Sequence, residues 1–146
     1  MSIFEPARGA WPGRMLGVFR IVAAAVFITS GTMKLFGFPP LPAGAPAITF
    51  LSEAWFAGVL EVVGGPLILV GLFTRPVAFI LAGEMAVAYW QFAYPVSFWP
   101  TSNFGIPAIL YCFFFLYLVF AGAGGWSLDG VIARRRGAEA AREVTP

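Results

Sequence analysis

MLGVFRIVAAAVFITSGTMKL, residues 15–35, contains only two charged side chains. As an α-helix that rises about 1.5 Å per residue, it is long enough to cross the roughly 30 Å hydrocarbon core of a bilayer. Turn-rich segments such as FPPLPAG at 38–44 and TRP at 74–76 separate it from later apolar runs and separate those runs from one another. Those later runs lie at about residues 55–73, 77–96 and 106–123. The sequence therefore predicts an all-α fold, a four-helix transmembrane bundle.

The composition supports a membrane location. Of the 146 residues, 60% are hydrophobic and 11% are charged. A soluble domain of this length could not bury so much apolar surface in its own core, whereas a lipid bilayer accepts it. The net charge is only +2, and no basic face is interleaved with polar residues that could read bases. We therefore expect the lipid bilayer as a partner and no nucleic acid.

The basic residues indicate how the chain is oriented. The loops at 37–54 and 97–105 contain no Lys or Arg. By the positive-inside rule, the sequence predicts both termini on the cytoplasmic side of a bacterial-type inner (plasma) membrane. It divides into a cytoplasmic segment at 1–14, the bundle at 15–126 and a basic cytoplasmic tail at 127–146. The basic residues outside the spans are Arg8, Arg14, Arg75, Arg134, Arg135, Arg136 and Arg142.

Four charged residues fall within the predicted spans. Each costs at least about 2.5 kcal/mol near the bilayer centre, so these side chains should face the bundle interior and form pairs. At about 1.5 Å per residue, Arg20 and Glu84 lie at similar depths, and Lys34 should lie nearer Glu61 than Glu84. Two interpretations stay open: ion pairs that fix helix register, or a polar cavity for a proton-coupled or quinone-like ligand.

Polar residues nearby complete the candidate set. Gln91 lies seven residues after Glu84, on the same face of a regular α-helix. Gly64 and Gly65 follow Glu61 and are interpreted as helix-packing positions. The candidate residues for the cavity or the ion pairs are Arg20, Ser30, Lys34, Glu61, Glu84 and Gln91.

Two residue types limit the chemistry. The chain has no histidine, which excludes bis-His haem ligation and His-ligated metal centres. It has one cysteine, Cys112, which excludes an intramolecular disulfide and a CxxC redox pair. We therefore expect no metal site and no intrinsic cofactor, so that any electron transfer would use a borrowed or soluble one.

The segment after the fourth apolar run predicts a short helix. Ser127 can cap a helix that runs toward Arg136, and Asp129 then lies in its first turn, where the helix dipole favours an acid. Whether Asp129 only stabilises this helix end, or also pairs with Arg75 or Arg14 on the cytoplasmic face, stays open from the sequence.

Several short motifs follow one another along the chain: Arg20 with SGTMKL at 30–35, LEVVGG at 60–65, LVGLFTR at 69–75 and GAGGWSLD at 122–129. In this order they resemble the DoxX family signature. They cover about residues 14–130, nearly the whole chain, and their order and spacing are together more specific than any one of them. Ala123 stands where the family usually has proline, and Ile106 stands where relatives often carry an acid.

This resemblance implies a function class more than a reaction. The family is similar to the membrane subunit of thiosulfate:quinone oxidoreductase and to proteins of quinone or catechol resistance and oxidative stress. It implies a quinone-interacting membrane component with a membrane quinone and a redox partner protein, not self-sufficient as an enzyme. A non-enzymatic scaffold or small-molecule-binding bundle is the alternative. A transporter would require a homo-oligomer, because four helices without inverted repeats are too few.

Overall fold

The computed structural model describes residues 11–45 and 47–143 of the chain. Within these ranges the regular structure is helical and contains no strand, which confirms the all-α prediction. The predicted N-terminal segment lies largely outside the described residues, and with it Arg8. The helices are α1 (Trp11–Phe36), α2 (Glu53–Val70), α3 (Thr74–Ala88), α4 (Ile106–Ala121) and α5 (Leu128–Glu143), and a π-helical turn, Tyr89–Ala93, extends α3.

Three of these helices are long and apolar enough to cross a membrane: Trp11–Phe36, Glu53–Val70 and the continuous Thr74–Ala93. The first begins four residues before its predicted start, and the third ends three residues before Val96. The helix α4 has 16 residues, or about 24 Å at 1.5 Å per residue. The fold of the described chain thus includes a membrane bundle with at least three such helices, and the fourth crossing stays a prediction.

Local signals in the sequence place the helix ends. Ser52 precedes α2, and its hydroxyl oxygen accepts a hydrogen bond from the backbone N–H of Trp55 at 3.2 Å. Gly71 ends α2 with φ +69°, a left-handed conformation that glycine adopts without a Cβ penalty. The N–H of Leu72 then bonds to the carbonyl of Leu67 at 2.9 Å. These caps allow α2 to turn into α3 through a very short link.

Glycines bring α1 and α2 into close antiparallel contact. A Cβ on Gly31 would lie 2.8 Å from the Cβ of Glu61, and a Cβ on Gly65 would lie 2.5 Å from Cγ1 of Ile28. Both distances are too short for a larger residue, so the close approach requires glycine. The interpretation of Gly65 as a packing residue is confirmed, and the same contact brings Glu61 directly against α1.

The core of the bundle is aromatic and aliphatic. The Phe27 ring lies 5.1 Å from the ring of Tyr111 and 5.0 Å from that of Phe115, centroid to centroid, which joins α1 to α4. In an apolar stretch of 18 residues in each of the three long helices, only 28% of the residues are buried inside the bundle. The rest of this apolar surface requires a lipid environment. Among the outward-facing residues are Val22, Phe79, Ile80, Phe113 and Phe120, all more than half exposed.

Candidate functional site

A cavity of about 550 Å³ lies among the helices α1, α2, α3 and α4. It is at the end of the bundle that carries the α1–α2 and α3–α4 connections, called here the Lys34 end. Its wall is largely apolar, with Phe27, Met85 and Tyr111 among the lining residues. Val26 and Phe104, which are strongly exposed, form part of its rim. An apolar cavity with an apolar rim suits a ligand that arrives from lipid.

Polar groups converge at one wall of this cavity. The Lys34 ammonium Nζ lies 2.7 Å from Oε1 of Glu61, and the Ser30 hydroxyl donates to the same oxygen at 3.2 Å. Glu61 is 1% exposed, whereas the Lys34 side chain is 23% exposed. The predicted approach of Lys34 to Glu61 is confirmed, and all three residues line the cavity.

The second carboxyl oxygen of Glu61 is left free. Among the described residues, Oε2 of Glu61 is buried without a hydrogen-bond partner. A buried acceptor without a partner costs roughly 1–3 kcal/mol, so it is a natural contact point for a ligand group or a proton. The ammonium of Lys34 has three N–H groups, of which the Glu61 contact uses one. The pair therefore retains both donor and acceptor capacity toward the cavity.

Sequence reasoning missed two polar residues of the cavity wall. Asn103 is 4% exposed; its side-chain N–H donates to the Ser97 carbonyl at 2.8 Å and its oxygen accepts from the Gly105 N–H at 2.7 Å. The Tyr111 hydroxyl donates to the Ala23 carbonyl at 3.1 Å. An asparagine just before a helix start is a signal for a capping turn, but nothing in the sequence places Tyr111 at a cavity.

Gln91 lies elsewhere than predicted. It is exposed and is not among the cavity-lining residues, because Tyr89–Ala93 form a π-helical turn closed by a 2.9 Å bond from the Tyr94 N–H to the Tyr89 carbonyl. A π-turn inserts about one extra residue, which rotates the following side chains away from a 3.6-residue periodicity. Phe92 and Ala93 line the cavity instead.

Arg20 does not pair with Glu84, and that prediction is wrong. The guanidinium is fully buried, and its five N–H groups reach five backbone carbonyls. Nη1 donates to Ile68 at 2.5 Å and also to Leu69, both at the C-terminal end of α2. The remaining donors reach the carbonyls of Ala123, Gly125 and Trp126 at 2.8, 3.3 and 3.0 Å.

The position of Arg20 explains this choice of partners. The last carbonyls of a helix lack intrahelical donors and carry partial negative charge, which favours a cation. Arg20 donates hydrogen bonds both to the end of α2 and to the linker after α4. This end of the bundle is called here the Arg20 end. A depth estimate that considers only charged side chains overlooks such backbone partners.

Asp129 also forms its hydrogen bonds with backbone groups rather than with Arg75. Its two carboxyl oxygens accept hydrogen bonds from the backbone N–H groups of Phe73 and Thr74, each at 2.9 Å. The one salt bridge within the described residues is elsewhere, and Arg75 reaches only the Phe120 carbonyl, at 3.5 Å. Of the two alternatives left open from the sequence, the pairing of Asp129 with Arg75 is therefore not found, although Asp129 does connect the start of α5 to the α2–α3 link.

The environment of Asp129 favours its charged form. Burial by itself would raise the pKa of this carboxyl, but the N–H bonds from Thr74 and Phe73, together with the charge of Arg20, hold the pKa below its usual range. The predicted capping is confirmed: the Ser127 hydroxyl oxygen accepts from the Gly130 N–H at 3.2 Å, and Asp129 lies in the first turn of α5.

The sequence of the chain is similar to those of several known proteins. The family model DoxX matches residues 15–94, which include both Lys34 and Glu61. The chain belongs to the DoxX family. An uncharacterized protein of Haemophilus influenzae is 44% identical over 118 residues, covering 78% of this chain and 87% of that protein. An uncharacterized membrane protein of Mycobacterium tuberculosis is 28% identical over 167 residues, covering 97% and 100%. No solved structure matches the chain significantly.

Ile106, the position at which the family resemblance implies an acid in many relatives, lies outside the cavity wall. It is the first residue of α4 and is 43% exposed. An acid there would lie in the first turn of a helix, where the dipole stabilises negative charge. Ile106 is therefore no part of the cavity wall that Lys34 and Glu61 form.

Glu84 is the DoxX-domain residue with the least satisfied side chain. Both of its carboxyl oxygens are buried, and neither has a hydrogen-bond partner among the described residues. It precedes Met85, which lines the cavity, and it lies within electrostatic reach of Glu61 and Lys34. The arrangement thus contains a closed ion pair and one uncompensated carboxyl beside it.

Proposed function

We propose that this DoxX protein binds the ring of a membrane quinone in the cavity at the Lys34 end, as the membrane component of a quinone-linked oxidoreductase or oxidative-stress system. The observation that carries the proposal is the combination of an apolar cavity of about 550 Å³ with a buried ion pair at its wall. Ligand sites are typically about 300–1,000 Å³, mostly apolar, with a few convergent polar groups.

The residues present suit a flat ring with oxygen substituents. Phe27 and Tyr111 offer aromatic surface, and Lys34 can donate to a carbonyl oxygen. The free Oε2 of Glu61 can accept a hydrogen bond from a hydroxyl or hold a proton. A quinone, when bound, supplies reversible two-electron and two-proton chemistry, and a partner protein supplies the electrons.

We further propose four membrane crossings with both termini in the cytoplasm of a bacterial-type inner membrane. The α4 helix is short at 16 residues, a mismatch that tilting of neighbours or local thinning of the bilayer accommodates at modest cost. Gly125 N–H bonds to the Gly13 carbonyl at 2.7 Å, so the start of α1 and the segment before α5 share the Arg20 end. Among the described residues, Arg14, Arg75 and Arg134–Arg136 belong to this end, which supports its cytoplasmic placement.

Binding of a short-chain quinone to the purified protein in lipid nanodiscs tests the function. Ala108 lines the cavity, and Ala108→Phe fills part of it while leaving both residues of the ion pair unchanged. Ala25 on α1 is exposed and lies outside the cavity wall, so Ala25→Phe is the matched control. We expect Ala108→Phe to weaken binding at least about tenfold, which is ~1.4 kcal/mol, and Ala25→Phe to leave it unchanged. Equal affinity for both variants, or no saturable binding by the wild type, contradicts the proposal.

The alternative is a non-enzymatic scaffold, favoured by the fact that the Lys34–Glu61 contact is already closed at 2.7 Å. Purification from native membranes distinguishes the two. Co-purifying quinone together with a redox-active partner protein supports the oxidoreductase component. The absence of both, with a loss of stability when the ion pair is broken, supports the scaffold.

A further inference from the structure

The charges at the Lys34 end do not balance. Arg20 donates to backbone carbonyls at the opposite end, where the acid that interacts with its charge is Asp129. Glu53, at the start of α2, is exposed, so inside the bundle one ammonium, Lys34, remains with two carboxyls, Glu61 and Glu84. A net charge within a membrane bundle is costly, and a carboxyl can avoid that cost by binding a proton.

The hydrogen bonds indicate which carboxyl binds it. The Oε1 atom of Glu61 accepts hydrogen bonds from Lys34 and Ser30, and both bonds favour the charged form of Glu61. Glu84 has no donor for either oxygen among the described residues, and both oxygens are buried. An ionised Glu84 would therefore have two buried oxygens and no hydrogen-bond donor among the described residues to stabilise its charge.

Other titratable groups on the surrounding helices do not change this balance. On α4, the Tyr111 hydroxyl donates to the Ala23 carbonyl, and Cys112 is a half-buried free thiol packed against the apolar core. Both are neutral in their ordinary forms at neutral pH. On α1 and α2, Lys34 and Glu61 are the charged groups within electrostatic reach of Glu84.

We propose that Glu84 is a buried proton-binding site that shares one exchangeable proton with the Lys34–Glu61 pair. The resident proton is on Glu84 while Lys34 holds Glu61. When Lys34 turns toward another partner in the cavity, Glu61 loses its counter-charge and becomes the second carboxyl able to hold a proton. The proton site is independent of ligand identity, whereas its use as a proton donor or acceptor in quinone chemistry rests on the proposed function.

Infrared spectroscopy of the full chain reconstituted in lipid tests the proton site without any quinone, so its failure is distinguishable from failure of the proposed function. A protonated carboxyl has a C=O stretching band separate from that of a carboxylate. We expect one such band at neutral pH in the wild type and its loss in Glu84→Gln. Lys34→Met should give about twice the band area, because Glu61 then also lacks a counter-charge.

Glu53→Gln is the matched control, since Glu53 is an exposed acid at the start of α2. It should leave the band unchanged. If Glu84→Gln does not accumulate, Glu84→Asp provides the test, because the carboxyl is retained and its band should shift in frequency. No protonated-carboxyl band in the wild type at neutral pH, or a band that neither Glu84 variant alters, would overturn the assignment.

Discussion

Replacing Arg20 by methionine removes the side chain that joins the ends of α2 and α4. Five carbonyls lose their guanidinium donors, and each buried carbonyl left without a partner costs about 1–3 kcal/mol. Water at the bundle end and small backbone shifts recover part of this, so we expect Arg20→Met to lower stability by about 3–5 kcal/mol. Because total stabilities are typically about 5–15 kcal/mol, that loss should sharply reduce accumulation of the folded protein.

Arg20→Lys gives a graded comparison. An ammonium has three N–H groups, so at least two of the five carbonyls lose their donor, and we expect a loss of about 2 kcal/mol or more. Arg75→Gln is the control, because Arg75 is exposed and makes a single 3.5 Å contact with a carbonyl. It should change stability by no more than about 0.5 kcal/mol.

Tryptophan-based thermal denaturation in one detergent, together with membrane yield, measures all three variants. The expected order of stability is wild type and Arg75→Gln together, then Arg20→Lys, then Arg20→Met. The reasoning is refuted if Arg20→Met unfolds within about 1 kcal/mol of the wild type. It is also refuted if Glu84→Gln rescues Arg20→Met, since rescue would mean that Arg20 stabilises Glu84 after all.

Three other perturbations test separate parts of the account. Asp129→Asn should lower the free energy of unfolding by about 1 kcal/mol at neutral pH. Because the pKa of Asp129 is lowered in the folded state, this difference should shrink as the pH falls below about 4. A difference that does not depend on pH would contradict this role. Lys34→Met and Glu61→Gln should each cost about 3–5 kcal/mol in thermal denaturation and the double variant less than either. The remaining partner of a broken pair must hold an uncompensated charge or give it up by changing its protonation, and both are costly; simple addition would argue against the pair. Reporter fusions at Ala45 and after Arg136 should report opposite sides of the membrane, and the same side for both would exclude the proposed topology.

Hydropathy predicted the helices, and the depth of the charged residues in their spans predicted one ion pair. The apolar runs exceed what a soluble core accepts, so the all-α membrane assignment follows from composition and length alone. Lys34 and Glu61 could be matched because each is near the same end of its helix, and Gly31 and Gly65 allow α1 and α2 to approach closely. Side chains that meet across one tight helix pair are accessible to such reasoning.

The contacts of three candidate residues were not predicted, because they involve backbone groups or depend on local helix geometry. Arg20 and Asp129 bind free helix ends, and the sequence does not show which ends converge in space. Gln91 is displaced by a π-turn, for which the residues Tyr89–Ala93 give no evident signal. Consequently Glu84, expected beside Arg20, is left without a counter-charge, a fact that only the three-dimensional arrangement reveals.

Photolabelling of the wild-type protein in lipid with a photoreactive quinone, followed by peptide mass spectrometry, tests the central claim most directly. The account predicts labels concentrated on cavity-lining residues at 26–34 and 103–111, and competed by excess unlabelled quinone. Labels spread over outward-facing residues such as Phe113 and Phe120, with no competition, would contradict the claim that the cavity at Lys34 and Glu61 is a quinone site.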